Sequence, residues 1–161
     1  MFTKKLETII FIFTSLVVLS TSNLYANQRY GKQKVVYHIN FNNLTKQSDT
    51  LRNIHNHIKA VGEDNIDVKV VMHGKGLSML LEPDSVENTD LNIGNATDNM
   101  QDKIVELKYK GVTFEVCKNT LRGRNINYQD DLFDVSKEDI VPSGVAELVR
   151  LQSMGYAYIR P

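Results

Sequence analysis

The stretch KVVYHINFNNLTKQSDTLRNIHNHIKAVGEDNIDVKVVMHG, residues 34–74, carries a strand, a helix and a second strand in succession. Lys34 to Phe41 is a mostly apolar, β-branched and aromatic run, the composition of a strand buried on both faces. From Ser48 the pattern changes: Leu51, Ile54, Ile58 and Val61 recur at helical spacing and Gly62 stands where a C-cap belongs, which predicts a helix over Ser48 to Val61. Ile66 to His73 is again short and valine-rich. Two buried strands joined by an amphipathic helix make a parallel unit with a right-handed crossover.

Downstream the alternation continues. Leu77 to Leu81 predicts one or two helical turns, and Pro83 to Ala96, rich in Asp, Asn and Glu without periodicity, is long enough to be either a lid or a slack loop. Thr97 or Asp98 can cap the next helix, whose inward stripe is Met100, Ile104 and Leu107 and whose stop is Gly111. Val112 to Cys117 follows as a strand, then a short helical segment over Asn119 to Arg124 and a minimal strand at Ile140-Val141. Pro142-Ser143-Gly144 opens a helix through Met154 with Gly155 as its stop, and Tyr156 to Ile159 is the final strand. The pattern predicts one α/β domain over residues 34–161, its largely parallel sheet covered on both faces.

Upstream, Lys4 and Lys5 precede an apolar Ile9 to Leu19 and a smaller, polar Ser20 to Ala26, the three parts of a secretory signal. A spanning helix needs about 20 apolar residues, so cleavage after residues 1–26 is expected in place of anchoring, with 27–33 as a polar lead-in. The mature chain is then an exported, soluble protein, periplasmic where the host has two membranes. Removing Lys4, Lys5 and Glu7 from 19 basic and 19 acidic residues leaves 17 and 18, a balance that argues against nucleic acid or an anionic membrane as partner. With 42% hydrophobic and 24% charged residues the composition is that of an ordinary globule. Cys117 is the only cysteine, so no intrachain disulfide is possible and the fold rests on its core.

In an open parallel sheet, ligands bind beyond the carboxyl ends of the strands. Those ends carry Asn40 and Asn42, His73 with Gly74, Cys117 with Asn119 and Thr120, and Ser143 with Gly144. A helix starting after Cys117 would stabilise a thiolate through its dipole and free amides, with Lys118, Arg122 and Arg124 adding positive potential and His73 as proton partner. The alternative is a cysteine packed beneath the loop as a small inert hydrophobe. His73 and Cys117 lack a third dependable ligand, so no metal is expected, and no cofactor either. His38, inside its strand, reads as a hydrogen-bonded core residue, while His55 and His57 point to different sides of their helix and read as a solvated face. Ser143-Gly144 can hold an anion on backbone amides or simply cap its helix. No Gly-x-Gly-x-x-Gly, Walker loop, Gly-x-Ser-x-Gly or Cys-x-x-Cys occurs.

Two segments, Gly111-Val-Thr-Phe-Glu-Val-Cys117-Lys-Asn-Thr-Leu121 and Val141-Pro-Ser-Gly-Val-Ala-Glu-Leu-Val-Arg-Leu-Gln-Ser-Met-Gly-Tyr-Ala-Tyr-Ile-Arg-Pro161, resemble the exported branch of the DsrE/DsrF-like proteins, and the likeness extends over Lys34 to Pro161. The resemblance implies a three-layer α/β/α domain with a five-stranded, mostly parallel sheet and assembly as a trimer or hexamer. Intracellular relatives pass sulfur along as a cysteine persulfide on an edge loop of the sheet, and Cys117 alone matches that position. What it implies is a persulfide carrier or thiol-redox protein that exchanges sulfur with a donor or acceptor protein. The other reading is a noncatalytic ligand-binding or assembly module with a packed cysteine.

Overall fold

The computed structural model describes residues 29–161, so the expected signal at 1–26 and the start of the lead-in lie outside the described residues. Five strands, β1 (Gln33–Ile39), β2 (Ile66–Met72), β3 (Thr113–Cys117), β4 (Ile140–Val141) and β5 (Ala157–Ile159), form one sheet in the order β4-β3-β2-β1-β5. Every pairing is parallel. The helices are α1 (Leu44–Val61), α2 (Asp98–Tyr109), α3 (Lys118–Gly123) and α4 (Gly144–Ser153). None among the described residues is long and apolar enough to cross a membrane.

Successive strand side chains point to opposite faces, which splits the core in two. Val35, Tyr37 and Ile39 of β1, Val68, Val70 and Met72 of β2, and Phe114 and Val116 of β3 pack with Leu51, Ile54 and Ile58 of α1, Met100, Ile104 and Leu107 of α2, and Leu121 of α3. The intervening residues Val36 and Val71 pack on the other face with Leu148 and Leu151 of α4 and with Tyr156. The fold is therefore three-layered, α/β/α, as expected. Its second outer layer is one ten-residue helix, which leaves β4 at one edge, packs across β3, β2 and β1, and delivers the chain to β5 at the other.

Three local expectations are corrected. Helix α1 starts at Leu44, four residues before Ser48, because Asn43 caps it, its side-chain oxygen accepting from the Lys46 N–H at 2.8 Å. The apolar spacing hides this first turn because a polar residue, Gln47, takes the inward position, fully buried and donating to the Phe41 carbonyl and Ser78 Oγ. Residues 83–96 are neither lid nor slack loop. Pro83–Asn88 is a 3-10 turn, Leu91 and Ala96 are buried, and Asn95, 1% exposed, donates to the Asn42 carbonyl and Gln47 Oε1. Leu77 to Leu81 is helical only as part of a 3-10 segment, Gly74–Met79. Within it Gly76 lies so close to β1 that an added Cβ would stand 2.0 Å from the Ile39 carbonyl oxygen, which pins the loop after β2 to the sheet.

Candidate functional site

His73 follows β2 in extended conformation and shares the α4 face with Val71, two residues before it. Cys117 ends β3 on the same face and is also the N-cap of α3, so the unpaired N–H groups of the first α3 turn lie around its sulfur. Helix α4 begins between these two side chains. An added Cβ on Gly144 would meet His73 Cβ at 3.1 Å and Cys117 Cβ at 3.3 Å. Ser143 caps the helix, its hydroxyl accepting from the Ala146 N–H at 3.4 Å. Thr120 ties the two loops together: its Oγ1 accepts from the Gly74 N–H at 2.9 Å, leaving the hydroxyl hydrogen for another acceptor.

That acceptor is the sulfur. Burial pushes the Cys117 thiol up, but hydrogen bonds from the Gly144 N–H, the Thr120 hydroxyl and N–H, and the Asn119 N–H pull it further down, and the net is a pKa below the ordinary thiol range. His73, Gly74, Cys117, Asn119, Thr120 and Ser143 line an open cavity of about 340 Å³, with Arg124 and Val145. Gly144 does not line it but packs closely against His73 and Cys117, which do. Asn40 is not brought to it; its Oδ1 accepts from Arg160 at 3.4 Å. Lys118 and Arg122 are also misplaced by the sequence reading, because they line a separate cavity with Leu121 and Ile126. Cys117 itself is 4% exposed, so approach to it runs through the cavity.

His73 does not bond Cys117. Its Nε2 lies 2.7 Å from Nε2 of His38, the two ring planes inclined by 25° with centroids 4.7 Å apart, and His38 Nδ1 lies 2.6 Å from the Tyr158 hydroxyl. His38 is hydrogen-bonded and buried as expected, but it belongs to the site, which the sequence alone does not reveal because β1 and β2 become neighbours only in the sheet. Burial, together with His73 and Arg160, pushes His38 down to about 4, and burial lowers His73 as well. His55 and His57 are partly exposed on α1, as a solvated face requires, but each is paired. His55 Nδ1 stands 3.0 Å from Glu106, and His57 bonds both the Tyr37 hydroxyl and Gln33.

One further group went unnoticed in the sequence. Glu115, two residues before Cys117 on the same face, is buried with its Oε2 unpartnered. Burial and the nearby Glu147 push it up to about 7 against the opposing pull of Lys69 and Arg150. No group of three or more His, Cys, Asp or Glu side chains among the described residues is arranged to hold a metal ion.

Comparison with known proteins adds two findings. The DsrE/DsrF-like family matches residues 34–161. Among solved structures the chain is similar to MTH1491, a protein of unknown function from Methanobacterium thermoautotrophicum, at 28% identity and a TM-score of 0.62, covering 81% of this chain and 100% of that one. No curated protein matches.

Proposed function

The chain belongs to the DsrE/DsrF-like family, and from that premise we propose that it is a sulfur carrier, holding a sulfane sulfur as a persulfide on Cys117. One observation carries the reading: hydrogen-bond donors from the starts of two helices, Asn119 and Thr120 on one and Gly144 on the other, converge on a thiol that lines an open cavity. Lowering the thiol pKa enlarges the thiolate fraction, and the thiolate is the form that attacks sulfur. In loading, Cys117 Sγ attacks the outer sulfur of a donor persulfide. A new S–S bond forms at Sγ, the donor's S–S bond breaks, and its electron pair leaves on the donor thiolate, which takes up a proton. No oxidant or reductant is consumed. Thr120, Asn119 and Ser143 then offer donors to the charged terminal sulfur.

The proposal includes export, with residues 1–26 removed and the carrier working outside the cytoplasm, and assembly of several copies. N-terminal sequencing of protein recovered from its native host tests the first; an intact Met1 would overturn it. For the chemistry, the decisive experiment is intact mass after incubation with glutathione persulfide. The expected result is one added sulfur on the wild type and none on Cys117→Ser. The second reading, a binding or assembly module with a packed cysteine, is favoured by the 4% exposure of Cys117. It prevails if the native thiol takes up neither sulfur nor iodoacetamide until the protein is unfolded.

A further inference from the structure

Strands β1 and β5 are hydrogen-bonded neighbours with Val36 paired to Tyr158, so Val36, His38 and Tyr158 share the α4 face. There the Tyr158 hydroxyl meets His38 Nδ1 at 2.6 Å and His38 Nε2 meets His73 Nε2 at 2.7 Å. Two facing Nε2 atoms at that distance share one proton: one ring carries it and the other accepts it. The tautomers are thereby coupled. When the hydroxyl donates to His38 Nδ1, His38 carries its proton on Nε2, and His73 accepts there and holds its own proton on Nδ1. Moving each proton across one hydrogen bond reverses every role in the chain.

Both ends of the chain are open. Nδ1 of His73 bonds no protein group among the described residues, and Glu115 Oε2 is the only buried side-chain nitrogen or oxygen among them without a partner, so Nδ1 meets solvent. His73 itself lines the Cys117 cavity. At the other end Tyr158 is 41% exposed on the edge strand.

We propose that Tyr158, His38 and His73 form a proton relay between the Cys117 cavity and solvent at the β5 edge of the sheet. Its use rests on the sulfur-carrier reading. During loading the donor's leaving thiolate takes the Nδ1 proton of His73. His73 Nε2 takes the proton of His38 Nε2, His38 Nδ1 takes that of the Tyr158 hydroxyl, and the hydroxyl is refilled from solvent. The relay is left with its tautomers reversed. Unloading resets it, because the acceptor thiol must lose a proton, and His73 Nδ1 is then the empty acceptor. One cycle of the carrier is one cycle of the relay, with no ring flip. Burial, with the neighbouring His73 and Arg160, holds His38 at about 4, and burial also lowers His73, so at neutral pH both rings are neutral and pass protons by tautomer exchange. His73 is the group that touches the reactants; His38 and Tyr158 act through it.

Tyr158→Phe tests the relay while keeping the ring. Glutathione persulfide requires proton delivery to its leaving thiolate, whereas iodoacetamide releases iodide, which needs none. The relay requires Tyr158→Phe to load sulfur at least about tenfold more slowly near pH 7, less than the ~10²–10⁴-fold a directly acting proton-transfer group supplies because His73 remains in place, while its alkylation rate equals that of the wild type. Equal loading rates would overturn the relay. Long-range proton–nitrogen NMR of the histidines supplies the second measurement. Loss of the hydroxyl that sets the tautomers must shift the ring nitrogens of both His38 and His73, and a His73 that does not respond overturns the relay. A wild type that takes up no sulfur overturns the carrier reading alone, and the histidine spectra then decide the relay by themselves.

Discussion

Gly144 has no side chain, and His73 and Cys117 close on the space that one would fill. An alanine there puts its methyl 3.1 Å from His73 Cβ and 3.3 Å from Cys117 Cβ, against strand-end atoms with little freedom to retreat. Gly144→Ala is expected to destabilise the protein by about 1–3 kcal/mol, the usual range for overpacking, and to move the Gly144 N–H off the sulfur. The Cys117 pKa then rises. Thr120 offers a cleaner comparison, since its hydroxyl both accepts from the Gly74 N–H and donates to the thiolate. Thr120→Val removes both bonds and Thr120→Ser keeps both. The pH midpoint of iodoacetamide alkylation should rise in the valine variant and stay in place in the serine variant; an unmoved midpoint in Thr120→Val would show that the hydroxyl does not hold the thiolate. At this scale the sequence was partly legible. Strand ends and a helix start suffice to nominate Cys117, His73, Asn119, Thr120, Ser143 and Gly144, because sequence neighbours and the rule for parallel sheets bring them to one edge. His38 reaches the site through the pairing of β1 with β2, 35 residues from His73, and Tyr158 through the pairing of β5 with β1, 120 residues from His38, which no local pattern encodes.

Helix α4 joins the site to the rest of the sheet, and beneath it sits Glu115. Its folded pKa of about 7 lies above the ordinary 4.5, so the native protein keeps a proton that the unfolded chain releases between those values. Stability from this group therefore falls as pH rises from about 4.5 to about 7, by on the order of 3 kcal/mol, and stays lost above. His38 slopes the other way from about 4 up to its ordinary 6.5, since its folded pKa is depressed. The wild type sums both, so the difference between wild type and Glu115→Gln isolates the carboxyl. The glutamine variant should gain stability relative to the wild type as pH rises from about 4.5 to about 7 and keep that gain above, measured by urea unfolding at each pH; a constant difference would show that Glu115 titrates normally. Elements are legible where apolar runs and periodicity mark them, as in α2, α4 and all five strands. They are hidden where polar side chains do the packing, at Gln47 in the first turn of α1 and at Asn95 in the segment before α2, because a buried hydrogen-bonded amide looks like a surface residue in sequence.

Among the described residues the two faces of the sheet are unequally protected, with α1, α2 and α3 on one and α4 on the other. The outer side of α4 carries apolar residues where a surface helix is normally polar: Val145 and Val149, one turn apart on one stripe, are each 60% exposed. Exposed apolar residues scattered singly, such as Tyr109, need no explanation, but a row on one helix does. The proposed assembly uses this row, with a second copy of the chain as its occupant. Val145 lines the Cys117 cavity, so a neighbour seated on α4 would also narrow the approach to the sulfur. Val149 lies a turn further along and is the position to test. Val149→Glu puts a charge into the contact while leaving the protomer nearly unchanged, since substitutions at so exposed a position stay within about 0.5 kcal/mol. Light scattering should then report multimers for the wild type and monomers for Val149→Glu at equal concentration and equal thermal midpoint of the protomer. A wild type of monomer mass would show that the row is left to water.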